Sequence, residues 1–331
     1  MQTRTLGPLA VSAIGLGCMS LSHAYGSPPD EAVGSELLLK ALDLGYRFFD
    51  TAALYGGGAN ETLVGKALAS RRDEYVLASK CGMTIEDGKR LISNRPEKLK
   101  STCEDSLRRL KTEVIDLYYL HRWDKLTPIE EAVGGLADLV AAGMVRAIGL
   151  SEVSADTLRR ANAVHPIAAV QSEYSLWTRN PEVAVLDACA ELGVGFVAFS
   201  PVARGFLTDA PPDVDRLEPR DIRRTMPRFQ PGAWEANLKL LEGFGGVARE
   251  IGCSMAQLAL AWTLAQRPFI VPIPGTTRLD HLQENAGGDF ALSPEVLARL
   301  DQLINFRTVT GPRYAATVQP EIDTEELPDP A

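Results

Sequence analysis

One unit of hydrophobic and polar positions keeps returning along the chain: an amphipathic helical stretch, a glycine, then a short apolar run. Ala41-Leu42-Asp43-Leu44-Gly45 leads into Tyr46-Arg47-Phe48-Phe49, Val140-Ala141-Ala142-Gly143 into Met144-Val145-Arg146-Ala147-Ile148, and Ala190-Glu191-Leu192-Gly193 into Val194-Gly195-Phe196-Val197-Ala198. Glycine suits the left-handed residue just past a helix end because it has no Cβ to clash there. Thr127-Pro128-Ile129-Glu130 reads as a capping box with proline at the first helical position, and Asn180-Pro181 and Ser293-Pro294 open in the same way. Strands are predicted near 14–17, 46–49, 75–79, 115–119, 145–149, 167–170, 195–199 and 270–273. Helices are predicted at 30–44, 60–70, 96–110, 128–142, 154–163, 182–192, 236–251 and 254–266.

Eight apolar strands alternating with helices predict a parallel sheet covered by helices. A closed barrel and an open doubly wound sheet both satisfy that alternation. A (β/α)8 barrel takes about 250 residues, which in a chain of 331 leaves an N-terminal β-hairpin, long loops at the C-terminal face and a tail. On the barrel reading the whole chain, 1–331, is a single α/β domain; the doubly wound sheet stays open at this point. The acidic, proline-rich end from about 310 to 331 is expected to be a loose tail. The stretch 203–235, with Arg220, Arg223, Arg224 and Arg228, is read as either a solvated excursion or a lid over a ligand.

A barrel places functional side chains where its strands end, at the C-terminal face. Asp50, Lys80, His121, Ser151, Gln171 and Ser200 each follow an apolar run. Singly, such residues cap turns or sit in solvent; together they point at one mouth. Asp50, Lys80, His121 and the nearby Tyr55 suggest proton chemistry. A phenol with a pKa of about 10 is a sluggish acid, and a lysine ammonium beside it favours the phenolate, while an aspartate keeps that lysine charged and in place. The set can then give a proton to a developing alkoxide.

Charge and composition narrow the alternatives. A formal net charge of −9 argues against nucleic-acid and anionic-membrane partners, which need clustered cations. Cys18, Cys81, Cys103, Cys189 and Cys253 are odd in number and show no Cys-x-x-Cys spacing, as expected of free thiols in a reducing compartment. With no apolar signal region after Met1 and no run of membrane-spanning length, a cytoplasmic location is expected. The histidines His23, His121, His165 and His281 form no His-x-His or His-Glu-x-x-His pair, so no metal is expected.

Two longer motifs carry a family resemblance. Gly45-Tyr46-Arg47-Phe48-Phe49-Asp50-Thr51-Ala52-Ala53-Leu54-Tyr55-Gly56, followed by Asn60-Glu61, resembles the first signature of the aldo-keto reductases. Glu104-Asp105-Ser106-Leu107-Arg108-Arg109-Leu110, running on to His121, resembles the second. The similarity extends from about residue 3 to about 307, and Gly149-Leu150-Ser151-Glu152 with Gln171-Ser172-Glu173-Tyr174-Ser175-Leu176-Trp177 is most like the generalist bacterial and plant branch.

The resemblance implies a (β/α)8 barrel and NADPH-dependent reduction of an aldehyde or ketone without a metal. Tyr55 would be the general acid, Lys80 and Asp50 would tune it, and His121 would orient the carbonyl. Ser151 and Gln171 match the ligands of the cofactor carboxamide, and Phe199 takes the place of the ring that stacks on the nicotinamide. Ser200, Pro201, Arg204, Gly205 and Leu207 fall in the pyrophosphate loop. Gly275, Thr276, Thr277, Arg278, His281, Glu284 and Asn285 fall at the adenosine end, with Arg278 expected on the 2′-phosphate because a cation in a helix's first turn is otherwise disfavoured. Glu152 stands where relatives often have asparagine and is given less weight. Gly56-Gly57-Gly58 reads as a flexible loop, and Cys18 and Cys81 as packing. Tyr25, Leu54 and Trp123 are expected to line the substrate end, whose apolar walls would favour aldehydes and ketones over charged sugars. Some members of the superfamily are regulatory ion-channel subunits that hold the cofactor with little turnover, which stands as the alternative.

Overall fold

The computed structural model describes residues 1–22 and 24–327, so His23 and the last four residues of the expected tail lie outside it. Eight parallel strands form one sheet in the order of the chain: Leu16–Gly17, Phe48–Asp50, Val76–Cys81, Ile115–Leu120, Val145–Ser151, Ile167–Glu173, Gly195–Phe199 and Ile270–Pro272. The amide of Gly15 donates to Pro272 O (2.9 Å) and that of Gly17 to Pro274 O (3.2 Å), which joins the last strand to the first and closes a (β/α)8 barrel. A Cβ on Gly17 would stand 2.8 Å from Ile273 O, so the closing seam needs glycine there.

The barrel interior is filled by Phe48, Ala78, Leu117, Tyr119, Ala147, Ala169, Val197 and Val271. Its N-terminal end is plugged by Leu6, Leu9 and Val11 of the hairpin Thr3–Leu6/Leu9–Ser12. Helices Glu31–Asp43, Ala59–Leu68, Pro96–Leu110, Ile129–Ala141, Ala155–Val164 and Val185–Leu192 cover the outside, followed by Leu240–Ile251 and Met255–Gln266. Ser293 caps Pro294–Leu303 by accepting from Val296 N. The other two expected starts differ. Thr127 Oγ1 donates to Asp124 instead of capping the helix at Ile129, and Asn180-Pro181 makes only a short 3-10 turn before the helix at Val185.

Long-range partners capture two segments that the sequence reading left open or loose. The stretch 203–235 shares both of its expected characters: 209–220 is largely exposed, whereas Met226, Phe229 and Trp234 are buried, Trp234 and Phe229 stack at 5.2 Å, and Gly205, Ile222 and Arg223 border a cavity at the barrel mouth. The described part of the expected loose tail is packed down as well. Tyr314, Ile322 and Thr324 are buried, Asp323 accepts from Ser154 N (2.9 Å) and Glu325 from Ala155 N (2.7 Å). Those two carboxylates sit on backbone amides at the start of the helix Ala155–Val164 that have no partner within the helix, which is what its N-terminal dipole favours. An excess of acidic residues reads as disorder until the helix end that binds them is known.

Candidate active site

Register and strand ends bring the sequence-predicted polar residues to one mouth. Asp50 ends the second strand and lies beside Gly17 on one side and Ala78 on the other. Lys80 lies two residues farther along the third strand, opposite Tyr119 of the fourth. His121 extends that fourth strand, its amide donating to Cys81 O (2.9 Å). Tyr55 opens a short turn after the second strand, in which Gly56, Gly57 and Gly58 all adopt positive φ (58°, 62° and 95°). The glycine run is thus a tight left-handed turn into the helix at Ala59, a conformation that side chains resist.

Lys80 is completely buried, and its ammonium is fully engaged. It pairs with Asp50 Oδ1, donates to Thr51 O (2.9 Å) and reaches the Tyr55 hydroxyl (3.2 Å). Asp50 Oδ2 accepts from Gln171 Nε2 (2.7 Å), and the Tyr55 and His121 rings meet edge to face at 5.8 Å. Burial by itself would lower Lys80; Asp50 and the Tyr55 oxygen outweigh it and hold the ammonium above the usual lysine range. Tyr55 departs from the sequence expectation. Burial pushes the phenol up, and the Lys80 ammonium pulls it down without cancelling that effect, so the group keeps its proton more firmly than a free tyrosine.

The rest of both long motifs serves the scaffold. Thr51 Oγ1 donates to Asn60 Oδ1 (2.7 Å), and Asn60 Nδ2 donates to Cys18 O (2.8 Å) and Ser22 Oγ (2.9 Å). Glu61 is buried and accepts from Ser79 Oγ (2.5 Å) and from Arg109 Nε (2.7 Å), tying the first motif to the second.

A cavity of about 810 Å³ runs from Asp50, Tyr55 and His121 past Ser151, Gln171, Phe199, Ser200, Pro201, Arg204 and Gly205 to Gly275, Thr276, Thr277, Arg278, His281, Glu284 and Asn285. Gln171 and Ser151 are register neighbours. Gln171 donates from Nε2 to Asp50 Oδ2 (2.7 Å) and also meets the Tyr119 hydroxyl, while Ser151 Oγ accepts from Arg122 Nη1 (3.2 Å). A carboxamide and a hydroxyl side by side offer both donor and acceptor capacity, which is what a primary amide ligand needs.

Several expected positions are corrected. Leu207 does not line the cavity: its side chain is in the core and its amide bonds Val202 O (3.2 Å). Arg204 lines it, yet its guanidinium turns to Glu173 Oε2 (2.6 Å) and is only 7% exposed. Arg278 lines it as well, at the N-cap position of the helix Leu279–Ala286 with no capping side-chain bond; its pair with Asp280 accounts for a cation at that helix start without a bound anion, which corrects the reason for expecting it there and not its place. Trp123 anchors its own loop through Thr127 O (2.8 Å) and is absent from the lining, whereas Tyr25 and Leu54 are present. Glu152 faces away, accepting from Glu173 N (2.8 Å) and from Arg313. Cys18 and Cys81 are buried, and burial pushes both thiols up, away from reactivity.

Two elements that finish the mouth leave no mark in the hydrophobic pattern or the motifs. A hairpin, Met83–Glu86 with Lys89–Ile92, contributes Met83 and Arg90; the C-terminal segment contributes Tyr314, Ala315, Val318 and Glu321. Arg90 and Glu321 pair across the opening. Beneath them Glu173 receives Arg204 and Arg313. Burial alone would raise this carboxyl, but the two guanidinium groups hold it down at about 2. A carboxyl depressed on folding stabilises the protein above its unfolded pKa of about 4.3 and loses that contribution as pH falls toward 2. The urea midpoint should therefore fall between pH 5 and 2, and less steeply in Glu173→Gln; equal slopes in the two proteins would contradict the assignment.

Among the described residues no group of three or more His, Cys, Asp or Glu side chains could hold a metal ion, and no helix is long and apolar enough to cross a membrane. The model of the aldo/keto reductase family matches residues 13–305. The Glycine max protein Probable aldo-keto reductase 1 is 44% identical over 309 residues, 92% of this chain and 88% of that one. Solved structures of similar shape include a glycerol dehydrogenase from Gluconobacter oxydans (TM-score 0.83, 27% identity, 98% of each chain). An aldo/keto reductase from Klebsiella pneumoniae in complex with NADP and acetate is also similar (TM-score 0.72, 28% identity, 92% of this chain and 96% of that one).

Proposed function

This chain belongs to the aldo/keto reductase family, and on that premise we propose that it reduces an aldehyde or ketone to an alcohol with NADPH, Tyr55 serving as the general acid. The observation that carries the reading is the Tyr55–Lys80–Asp50 chain at the inner end of a cavity long enough for an extended cofactor. The fit is supported by Gln171 and Ser151, neighbouring polar side chains on the cavity wall whose groups suit a nicotinamide carboxamide, with Phe199 beside them. When bound, NADPH supplies the hydride.

The chain's own residues handle the proton. Tyr55 holds it at the phenol oxygen, 3.2 Å from an ammonium that stabilises the negative charge left behind on donation. Asp50 and Thr51 O keep that ammonium charged and fixed. An alkoxide is far more basic than a phenolate, so transfer is downhill even from a phenol raised by burial. His121, edge-on to the Tyr55 ring, orients the carbonyl oxygen. Met19, Leu54 and Met83 make the wall next to Tyr55 apolar, which favours aldehydes and ketones over charged sugars.

Consumption of NADPH against a panel of carbonyl compounds, with NADH run in parallel, tests the reading. Binding of NADPH without turnover of any reactive aldehyde would favour the regulatory-subunit alternative instead. Because the 2′-phosphate would have to draw Arg278 from an exposed pair with Asp280, Arg278→Ala should raise the KM for NADPH about tenfold and leave that for NADH within about twofold. Equal effects on both would remove Arg278 from the site.

A further inference from the structure

We propose that Arg313 and Tyr314, in the C-terminal segment, are positioning residues that hold the loop 200–205 in its ligand-facing shape by acting through Glu173 on Arg204; the inference rests on the cofactor reading above. The loop is an awkward piece of backbone. Ser200, Ala203 and Arg204 all carry left-handed φ (52°, 51° and 58°), followed by Gly205 at 91°. Residues with side chains stay in that region only where their surroundings over-determine it.

Arg204 supplies the hold. Its Nη2 donates to Glu173 Oε2 (2.6 Å) and to the Tyr314 hydroxyl (3.2 Å), its Nη1 to the Tyr25 hydroxyl (3.3 Å), and its carbonyl accepts from Arg223 Nη1 (3.2 Å). Glu173 closes a barrel strand and is a rigid post, but Arg204 does not satisfy it alone. Arg313 Nε donates to the same oxygen (3.1 Å), and the Tyr314 hydroxyl lies 3.3 Å from it. The far edge of Arg313 clasps both oxygens of Glu152 (2.8 and 2.5 Å).

Two carboxylates thus face two hydrogen-bonded guanidinium groups, all four side chains at most 7% exposed, with the Arg228 guanidinium adding positive charge beside them. Buried charges of this kind are stable only when matched. Without Arg313, Glu152 and Glu173 compete for Arg204, and the competition falls on the loop that carries it. Arg313 is itself delivered firmly. Arg228 Nε bonds Gly311 O (3.0 Å), and Asn237 exchanges two bonds with Thr310 (2.9 and 2.8 Å). Arg204, Gly205 and Tyr314 line one cavity with Tyr55, so a shift here reaches the cofactor face without touching the proton chain.

The test uses the full-length chain and the double variant Arg313→Met/Glu152→Gln, which removes one charge of each sign. The Kd for NADPH should rise about tenfold or more, since charged buried hydrogen bonds are lost. The Kd for adenosine 2′-phosphate, a probe of the 275–285 end alone, should stay within about twofold, and kcat at saturating NADPH within about threefold. Trypsin cleavage after Arg204 in the ligand-free chain should accelerate. Arg313→Lys should recover part of each effect. Unchanged NADPH affinity and unchanged cleavage in a cooperatively melting variant overturn the inference, as does an equal loss for both ligands, which signals general loosening. Should the double variant not fold, Tyr314→Phe, which keeps every charge, should still raise the NADPH Kd about threefold; no rise overturns the inference. Failure of the unaltered chain to bind NADPH counts against the cofactor reading, and the cleavage comparison then decides the coupling by itself.

Discussion

Tyr55→Phe should bind NADPH as the unaltered chain does and lose carbonyl reduction by a factor of about 10² to 10⁴, the usual worth of a positioned general acid. The substitution keeps the ring that meets His121 edge to face and removes only the oxygen 3.2 Å from Lys80. Fluorescence titration with NADPH and steady-state turnover of a reactive aldehyde separate the two effects. Unimpaired turnover in this variant would mean that the proton comes from elsewhere, and Tyr55 would lose its role.

Lys80→Met should do more, because it damages the fold as well as the chemistry. Asp50 would keep a buried carboxylate with Gln171 as its remaining side-chain donor. Removing one partner of a buried ion pair costs about 3–5 kcal/mol, read as a large fall in the urea midpoint. Lys80→Met/Asp50→Asn, with no orphaned charge, should regain most of that stability and remain inactive. Were the double variant as unstable as the single one, the loss would lie in packing, and the ion pair would not be the organising interaction.

Much of this was legible in the chain. Alternating helical stretches and apolar runs mark eight strands, three of them announced by a glycine, and a barrel predicts that polar residues following them converge, as Asp50, Lys80, His121, Ser151 and Gln171 do. What stayed hidden depends on partners far away in sequence. Burial decides the direction in which Tyr55 shifts, and no local pattern reports how deep a phenol lies. The amide of Leu207 is used by Val202 within the loop, a turn detail below the resolution of motif matching. Asp280 neutralises Arg278 through side-chain reach that a macrodipole argument omits. Glu152 looks like a damaged cofactor ligand until Arg313, 161 residues later, appears against it.

That last separation has a bearing on how the molecule is made. A ribosome finishes every strand of the barrel, and the residues of the Tyr55–Lys80–Asp50 contacts, well before it adds residue 313. Until then Glu173 has Arg204 as its ion-pair partner, with Arg228 nearby, and Glu152 lacks the guanidinium that clasps both its oxygens. The charge pairing around Glu173 is therefore completed only after the barrel's last strand has been made.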